Sequence, residues 1–256
     1  MASAPGDLPV HSFAAADGLR LAWREMGEGR PVVLIHGLFS NAWTNWIRYG
    51  HAARLADAGF RVIMPDLRGH GDSAAPHDPA AYPPDILAAD GEALVAHLGL
   101  SDYDLGGYSL GARTTIRMIV RGRARPVRAI VAGMGLEGLH ATSRRGEHFR
   151  EVLRGIGTHP RGSAMWMAEA FLKTTGGDPQ ALLPLLDSFV DTDPAAVAAI
   201  TQPTLVLCGA EDRDNGSAAA LAARLPYGVL AEIPGNHMSA VLRQELGTEI
   251  VRFLAV

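Results

Sequence analysis

Three side chains far apart in the chain, Ser109, Asp212 and His237, have the types that together turn an alcohol into a nucleophile. A serine hydroxyl attacks a carbonyl poorly until a base takes its proton. The imidazole that serves as base must in turn be oriented by an acid. Ser109 lies in Gly107-Tyr108-Ser109-Leu110-Gly111, a G-x-S-x-G between a short strand-like stretch at 102–106 and a helix-like one at 112–120. That is the nucleophile-elbow pattern. Its serine occupies a turn with unfavourable backbone angles, so the positions two residues away on either side must lack bulk. In a chain with 29 glycines the same pentapeptide also arises as an ordinary glycine-rich turn, and the surrounding elements must decide.

Asp212 follows the apolar run Thr204–Cys208, and His237 follows the run Val229–Ile233. Both therefore stand just beyond expected strands, in the order serine, aspartate, histidine that the elbow-bearing architecture requires. Glu211, Asp214 and Glu137 are alternatives for the acid, and an aspartate in such a loop also serves simply as a helix cap. His36 and His70 are rivals for the base; both sit in glycine-containing turns and read as hydrogen-bonding braces. A negative tetrahedral intermediate needs preorganised N–H donors. The amide of Leu110 is one candidate and that of Leu38, in the loop after Pro31–Ile35, is the other, with Phe39 as the neighbouring alternative.

The elements that must position these groups follow from the apolar pattern. Strands are expected at 9–14 and 19–26, joined by the turn Ala16-Asp17-Gly18, and then at 31–35, 61–64, 127–132, 204–208 and 229–233. Helices are expected at 43–58, 85–98, 112–120 and 216–225, and a last one follows the loop Pro234-Gly235-Asn236-His237 and runs to about 254. Residues 136–200 contain no convincing strand and read as helical pieces near 144–155, 163–174 and 179–190. Repeated strand–helix units predict a mostly parallel α/β sheet flanked by helices, with a helical insertion. In such sheets the chemistry sits at the carboxyl ends of the strands, where the candidate motifs fall.

The remaining composition narrows the classes of function. A length of 256 residues suits one large α/β domain, and a net charge of -4 leaves no electrostatic footprint for nucleic acid or an anionic membrane. Cys208 is the only cysteine and lies in an expected strand, so a buried structural role is expected. No signal peptide or membrane-spanning run is visible, and a cytoplasmic, soluble chain is expected. No H-E-x-x-H spacing, G-x-G-x-x-G helix start or P-loop lysine is present, so neither metal nor cofactor is expected.

With these motifs in place the chain resembles the α/β-hydrolase superfamily, and within it the esterase-like group with a small helical cap. The resemblance rests on the His36-Gly37 loop, Asp66-Leu-Arg-Gly-His-Gly-Asp-Ser73, the elbow, Gly209-x-x-Asp212 and Pro234-Gly-Asn-His237-Met. Tyr108 before Ser109 and the lone Asn236 between Gly235 and His237 depart from common forms of the pattern without removing a reacting group. The resemblance implies about eight strands with the second antiparallel, a core of residues 1–135 and 201–256, and a cap at 136–200. A serine at position 109 argues against dehalogenases and epoxide hydrolases of this fold, which use an aspartate there.

The implied activity is hydrolysis of a carboxylic ester of a small to medium acyl substrate through an acyl-enzyme. Carbon–carbon cleavage of a dienoic ketoacid, lactone hydrolysis and perhydrolysis are variants with the same triad. A ligand receptor with a nearly silent triad is the reading from another class. Phe39, Tyr108, Trp166 and Phe171 are the candidate pocket residues, with Phe149, Met165, Met167, Leu172 and Phe189 also supplied by the cap. Arg144, Arg145, Arg150, Arg154 and Arg161, and likewise Arg113, Arg117 and Arg121, read as solvated helix faces. An inward-facing member would favour an acidic substrate. The oligomeric state is open at this stage.

Overall fold

The computed structural model describes residues 8–255, the side chains at 143 and 144 excepted. Its centre is an eight-stranded sheet built from β1 (His11–Ala14), β2 (Arg20–Met26), β3 (Arg30–Ile35), β4 (Phe60–Pro65), β5 (Asp104–Tyr108), β6 (Ala129–Ala132), β7 (Thr204–Gly209) and β8 (Gly228–Ile233). Their spatial order is β1-β2-β4-β3-β5-β6-β7-β8. β2 runs antiparallel to both neighbours, and the pairs from β4 across to β8 are parallel. The central parallel strands are short and mainly apolar because helices cover both faces; every residue of β5, β6 and β7 is buried.

The helices are α1 (His51–Asp57), α2 (Ile86–His97), α3 (Leu110–Val120), α4 (Glu137–His140), α5 (Thr142–Arg154), α6 (Ala164–Thr174), α7 (Pro179–Asp187), α8 (Pro194–Ala198), α9 (Ala218–Arg224), α10 (His237–Ala240) and α11 (Gln244–Leu254). Two expected helices are broken. The one at 43–58 divides into a wide turn over Trp43–Ile47 and α1, because Gly50 takes a left-handed backbone conformation (φ 80°) between them. The last one divides into α10 and α11, so His237 opens a short helix rather than lying in a loop.

From α4 to α8 the chain leaves the sheet and returns to it at β7. These helices have no separate core: Val152, Leu153, Leu172, Leu182, Leu185 and Leu186 belong to one buried cluster with Phe13, Trp23, Ile35, Leu67 and Leu87. Asp178 caps α7 and Ser163 caps α6, each accepting from a first-turn amide.

The strand order fixes where the chemistry can lie. From β3 the chain moves to β4 on one side and then crosses to β5 on the other, so loops leaving β3 and β5 diverge and open a crevice. Gly37 and Ser109 meet across that crevice. Packing there leaves no room for side chains on the elbow. A Cβ on Gly111 would lie 2.0 Å from the Ile35 carbonyl oxygen, and one on Gly107 would lie 2.3 Å from the Gly111 carbonyl carbon. Backbone cannot yield as a flexible side chain can. Gly111→Ala is therefore expected to cost more than the roughly 0.5–3 kcal/mol of an ordinary substitution, measured as a drop in the denaturant midpoint.

Candidate active site

Ser109 follows β5 with φ 54° and ψ −112°, one of three non-glycine residues with positive φ among the described residues. It occupies the N-cap position of α3 but makes no capping hydrogen bond, since its hydroxyl points elsewhere. Its Oγ lies 3.0 Å from His237 Nε2. His237 Nδ1 lies 2.8 Å from Asp212 Oδ2, with both residues almost fully buried and Ser109 open to the crevice. The three residues are thus hydrogen-bonded in series.

Each partner is held from behind. Asn236 caps α10, accepting from Met238 N–H and Ser239 N–H, and the Tyr108 hydroxyl donates to the His237 carbonyl at 2.6 Å. The loops carrying Asp212 and His237 are tied where Glu211 N–H donates to Gly235 O at 3.0 Å. Asp212 also accepts from the Asp214 amide at 3.0 Å through its other oxygen. Burial pushes the Asp212 carboxyl up, but the bond from His237 and the Asp214 amide more than offset this and hold it below the usual carboxylate range. The other acids are occupied elsewhere: Asp214 is half-exposed, and Glu137 accepts from the Ser217 amide.

The loop after β3 supplies a second set of donors. Phe39 N–H donates to His70 Nε2 at 3.3 Å, so the alternative oxyanion donor is already engaged. Among the described residues the Leu38 and Leu110 amides have no acceptor. Leu110 is the first residue of α3, where helix geometry leaves N–H groups unpaired and the helix dipole favours negative charge.

His36 and His70 brace this loop as the sequence suggested. His36 Nε2 accepts from Leu67 N–H at 3.0 Å while its Nδ1 faces Gly37 O; His70 faces Arg68 O in the same manner. Burial pushes His36 down to about 4 and His70 to about 3, so both are neutral when folded. Below pH 6.5 the unfolded chain binds protons that the folded chain does not. The stability present above pH 6.5 is therefore lost progressively as pH falls toward 4. The melting temperature is expected to fall between pH 7 and pH 4.5, a fall partly offset by Asp90, whose carboxyl burial pushes up to about 6. His70→Gln, which cannot titrate, should flatten that slope in a pH series of thermal melts.

Two chambers meet at Ser109. One, of about 250 Å³, is mainly apolar and lined by Leu38, Tyr49, Tyr108, Phe171, His237 and Val241. The other is smaller, about 40 Å³, and includes Leu110, Arg113, Arg145, Phe149 and Phe189. Trp166 lines neither. Phe39 is buried behind the loop with its ring 5.4 Å from that of Phe149, so it shapes the wall rather than facing a substrate. Met167 is exposed and Leu172 is core.

The expected solvated arginine faces hold only in part. Arg154 and Arg161 are exposed, Arg150 pairs with Asp187, and the Arg144 side chain lies outside the described residues. Arg113 is instead buried, because the segment after α7 folds over α3 and accepts its Nη2 at Val190 O, 2.7 Å away. Arg117 and Arg121 turn to Asp85 and Glu92 at α2. The spacing of the three arginines could not distinguish a covered helix face from a wet one. No group of three or more His, Cys, Asp or Glu side chains among the described residues is arranged to hold a metal ion. No helix among them is long and apolar enough to cross a membrane. Cys208 is buried with its Sγ toward Met134 O, and burial pushes its thiol up to about 12.

Comparison with known proteins adds the family context. A family model described as the alpha/beta hydrolase family matches residues 32–246. A non-heme haloperoxidase from Rhodococcus erythropolis is 38% identical over 125 residues, 46% of this chain and 42% of that protein. A bifunctional epoxide hydrolase 2 from Sus scrofa is 42% identical over 94 residues, 37% of this chain and 16% of that protein. The matched stretches thus span less than half of these curated relatives. An esterase from Exiguobacterium antarcticum has a similar fold, with a TM-score of 0.75, 21% identity, and coverage of 96% of this chain and 99% of that one.

Proposed function

Because the chain belongs to the alpha/beta hydrolase family, we propose that it is a serine hydrolase acting on a carboxylic ester of a small or medium substrate. The observation that carries this reading is the hydrogen-bonded series from Ser109 Oγ through His237 to Asp212, with the serine on a strained elbow. In this mechanism Ser109 Oγ attacks the ester carbonyl as His237 Nε2 takes its proton. The oxyanion is held by the Leu38 and Leu110 amides. Collapse expels the alcohol, which receives the proton from His237, and leaves an acyl-enzyme. Water then repeats the sequence and releases the acid. Residues 136–200 act as a cap over the crevice, continuous with the core beneath rather than a domain of its own.

The likeness to epoxide hydrolases does not extend to this chemistry. A carboxylate that opens an epoxide forms an ester, which water can cleave. A serine alkoxide would form an ether, and the enzyme would stall after one event. The haloperoxidase likeness favours a variant in which hydrogen peroxide replaces water on the same acyl-enzyme and yields a peracid. Carbon–carbon cleavage of a dienoic ketoacid requires an arginine facing the site, and Arg113 and Arg145 meet that requirement.

Short p-nitrophenyl esters and a fluorophosphonate probe test the proposal. Turnover in the usual range of about 1–1,000 per second, with the adduct on Ser109, is the expected result. Absence of both would leave the receptor reading in possession of the site. Turnover of dienoic ketoacids but not esters would favour the carbon–carbon variant.

A further inference from the structure

The two chambers at Ser109 receive different halves of a substrate. His237 Nε2 must hand its proton to the leaving group, so that half occupies the chamber His237 lines. The acyl half then enters the smaller chamber, lined by Leu110, Arg113 and Arg145 but not by His237. At about 40 Å³, against about 250 Å³ for the other chamber, it suits a short acyl group.

Its charge is unusual. Arg113 is 6% exposed, and its Nε is buried with no hydrogen-bond partner. Its only hydrogen bond among the described residues is to Val190 O, and its guanidinium lies over the Phe189 ring at 4.7 Å. No carboxylate among the described residues lies within ion-pair distance. The nearby Asp85 is engaged by Arg117 and Arg121, and Asp191 Oδ1 accepts the Thr142 amide. Arg145 reaches in from α5. It bonds to the Asp214 carbonyl oxygen and forms a loose ion pair, at 3.7 Å, with that residue's half-exposed carboxylate. A buried guanidinium with no carboxylate in contact, and only Asp191 and Asp85 attracting it from farther off, is costly to the fold, and its planar donors suit a carboxylate.

Resting on the serine-hydrolase reading above, we propose that the acyl half of the substrate is short and ends in a carboxylate, bound between Arg113 and Arg145. The substrate class is then a monoester, or the equivalent lactone, of a short dicarboxylic acid with an apolar leaving group. The carboxylate supplies the direct ion pair that Arg113 lacks and draws the scissile carbonyl toward the Leu38 and Leu110 amides.

The test compares mono-p-nitrophenyl succinate with p-nitrophenyl butyrate, which has a similar length and no charge. The wild type should favour the anionic ester about 100-fold in kcat/KM. Arg113→Met and Arg145→Met should each lower the rate on the anionic ester at least tenfold more than on the neutral one. Arg113→Lys should recover part of the preference, and thermal melts identify any variant that fails to fold. A wild type that prefers the neutral ester, or variants that affect both esters equally, would overturn the proposal. If neither ester turns over and the fluorophosphonate leaves Ser109 unlabelled, the serine-hydrolase reading fails on its own. The pocket is then judged by glutarate at constant ionic strength: a saturable rise in melting temperature lost in Arg113→Met supports it, and no rise refutes it.

Discussion

Ser109→Ala is expected to lower kcat/KM on a p-nitrophenyl ester by about ten-thousand- to million-fold without unfolding the protein. Without Oγ no acyl-enzyme forms, and the remaining turnover comes from the Leu38 and Leu110 amides polarising a carbonyl that water attacks unaided. A second substitution separates the loss of chemistry from any loss of structure. Ser109 holds φ 54° and ψ −112° although it has a Cβ, a strain of roughly 1–3 kcal/mol. Ser109→Gly removes the Cβ at an entropic cost of about 0.5–1 kcal/mol. It should be as inactive as Ser109→Ala yet melt about 2–4 °C higher. An inactive variant that gains stability identifies a residue kept for reaction. Undiminished turnover in Ser109→Ala would show that the ester is cleaved elsewhere.

The sequence marked the three hydrogen-bonded candidates because each has a strong local reason to stand where it does. Ser109 needed bare neighbours, and Gly107 and Gly111 supplied them; the contacts with Ile35 give the physical cause. Asp212 follows a strand whose apolar run is buried throughout, and His237 follows the edge strand β8, which its short run of aliphatic residues marks although much of it is exposed. The sheet was legible for the same reason. What stayed hidden depends on contacts between distant segments. Asp212 and Asp214 are two residues apart, and only the turn after β7 decides which carboxylate reaches His237. Tyr108 reads as a pocket residue in sequence and does line the larger chamber, but the bond from its hydroxyl to the His237 carbonyl, 129 residues away, was hidden. Arg113 has the spacing of a wet helix face and becomes buried only because Val190 is folded over it. Gly50 breaks its helix through a backbone conformation that apolar periodicity does not encode.

Asp212→Asn should reduce kcat by about ten-thousand-fold although it changes no shape. The carboxylate accepts a hydrogen bond from His237 Nδ1–H at 2.8 Å, which keeps the proton on Nδ1 and Nε2 free to accept from Ser109. An amide can turn its NH₂ toward Nδ1, and the ring then carries its proton on Nε2, facing the serine it should deprotonate. Imidazole geometry and protein fold survive, and the base is lost. Since Asp212 is held below the usual carboxylate range when folded, its contribution to stability is present above the unfolded carboxylate pKa. That contribution is lost as pH falls through the folded value, so a melt near pH 7 should also detect a modest destabilisation. Asp214→Asn is the matched control. Its carboxylate is half-exposed and does not contact the histidine, so a reduction beyond about tenfold would be inconsistent with the assignment of Asp212. If Asp212→Asn and Asp214→Asn exchanged these effects, the turn after β7 would have to present the later carboxylate to His237 during turnover.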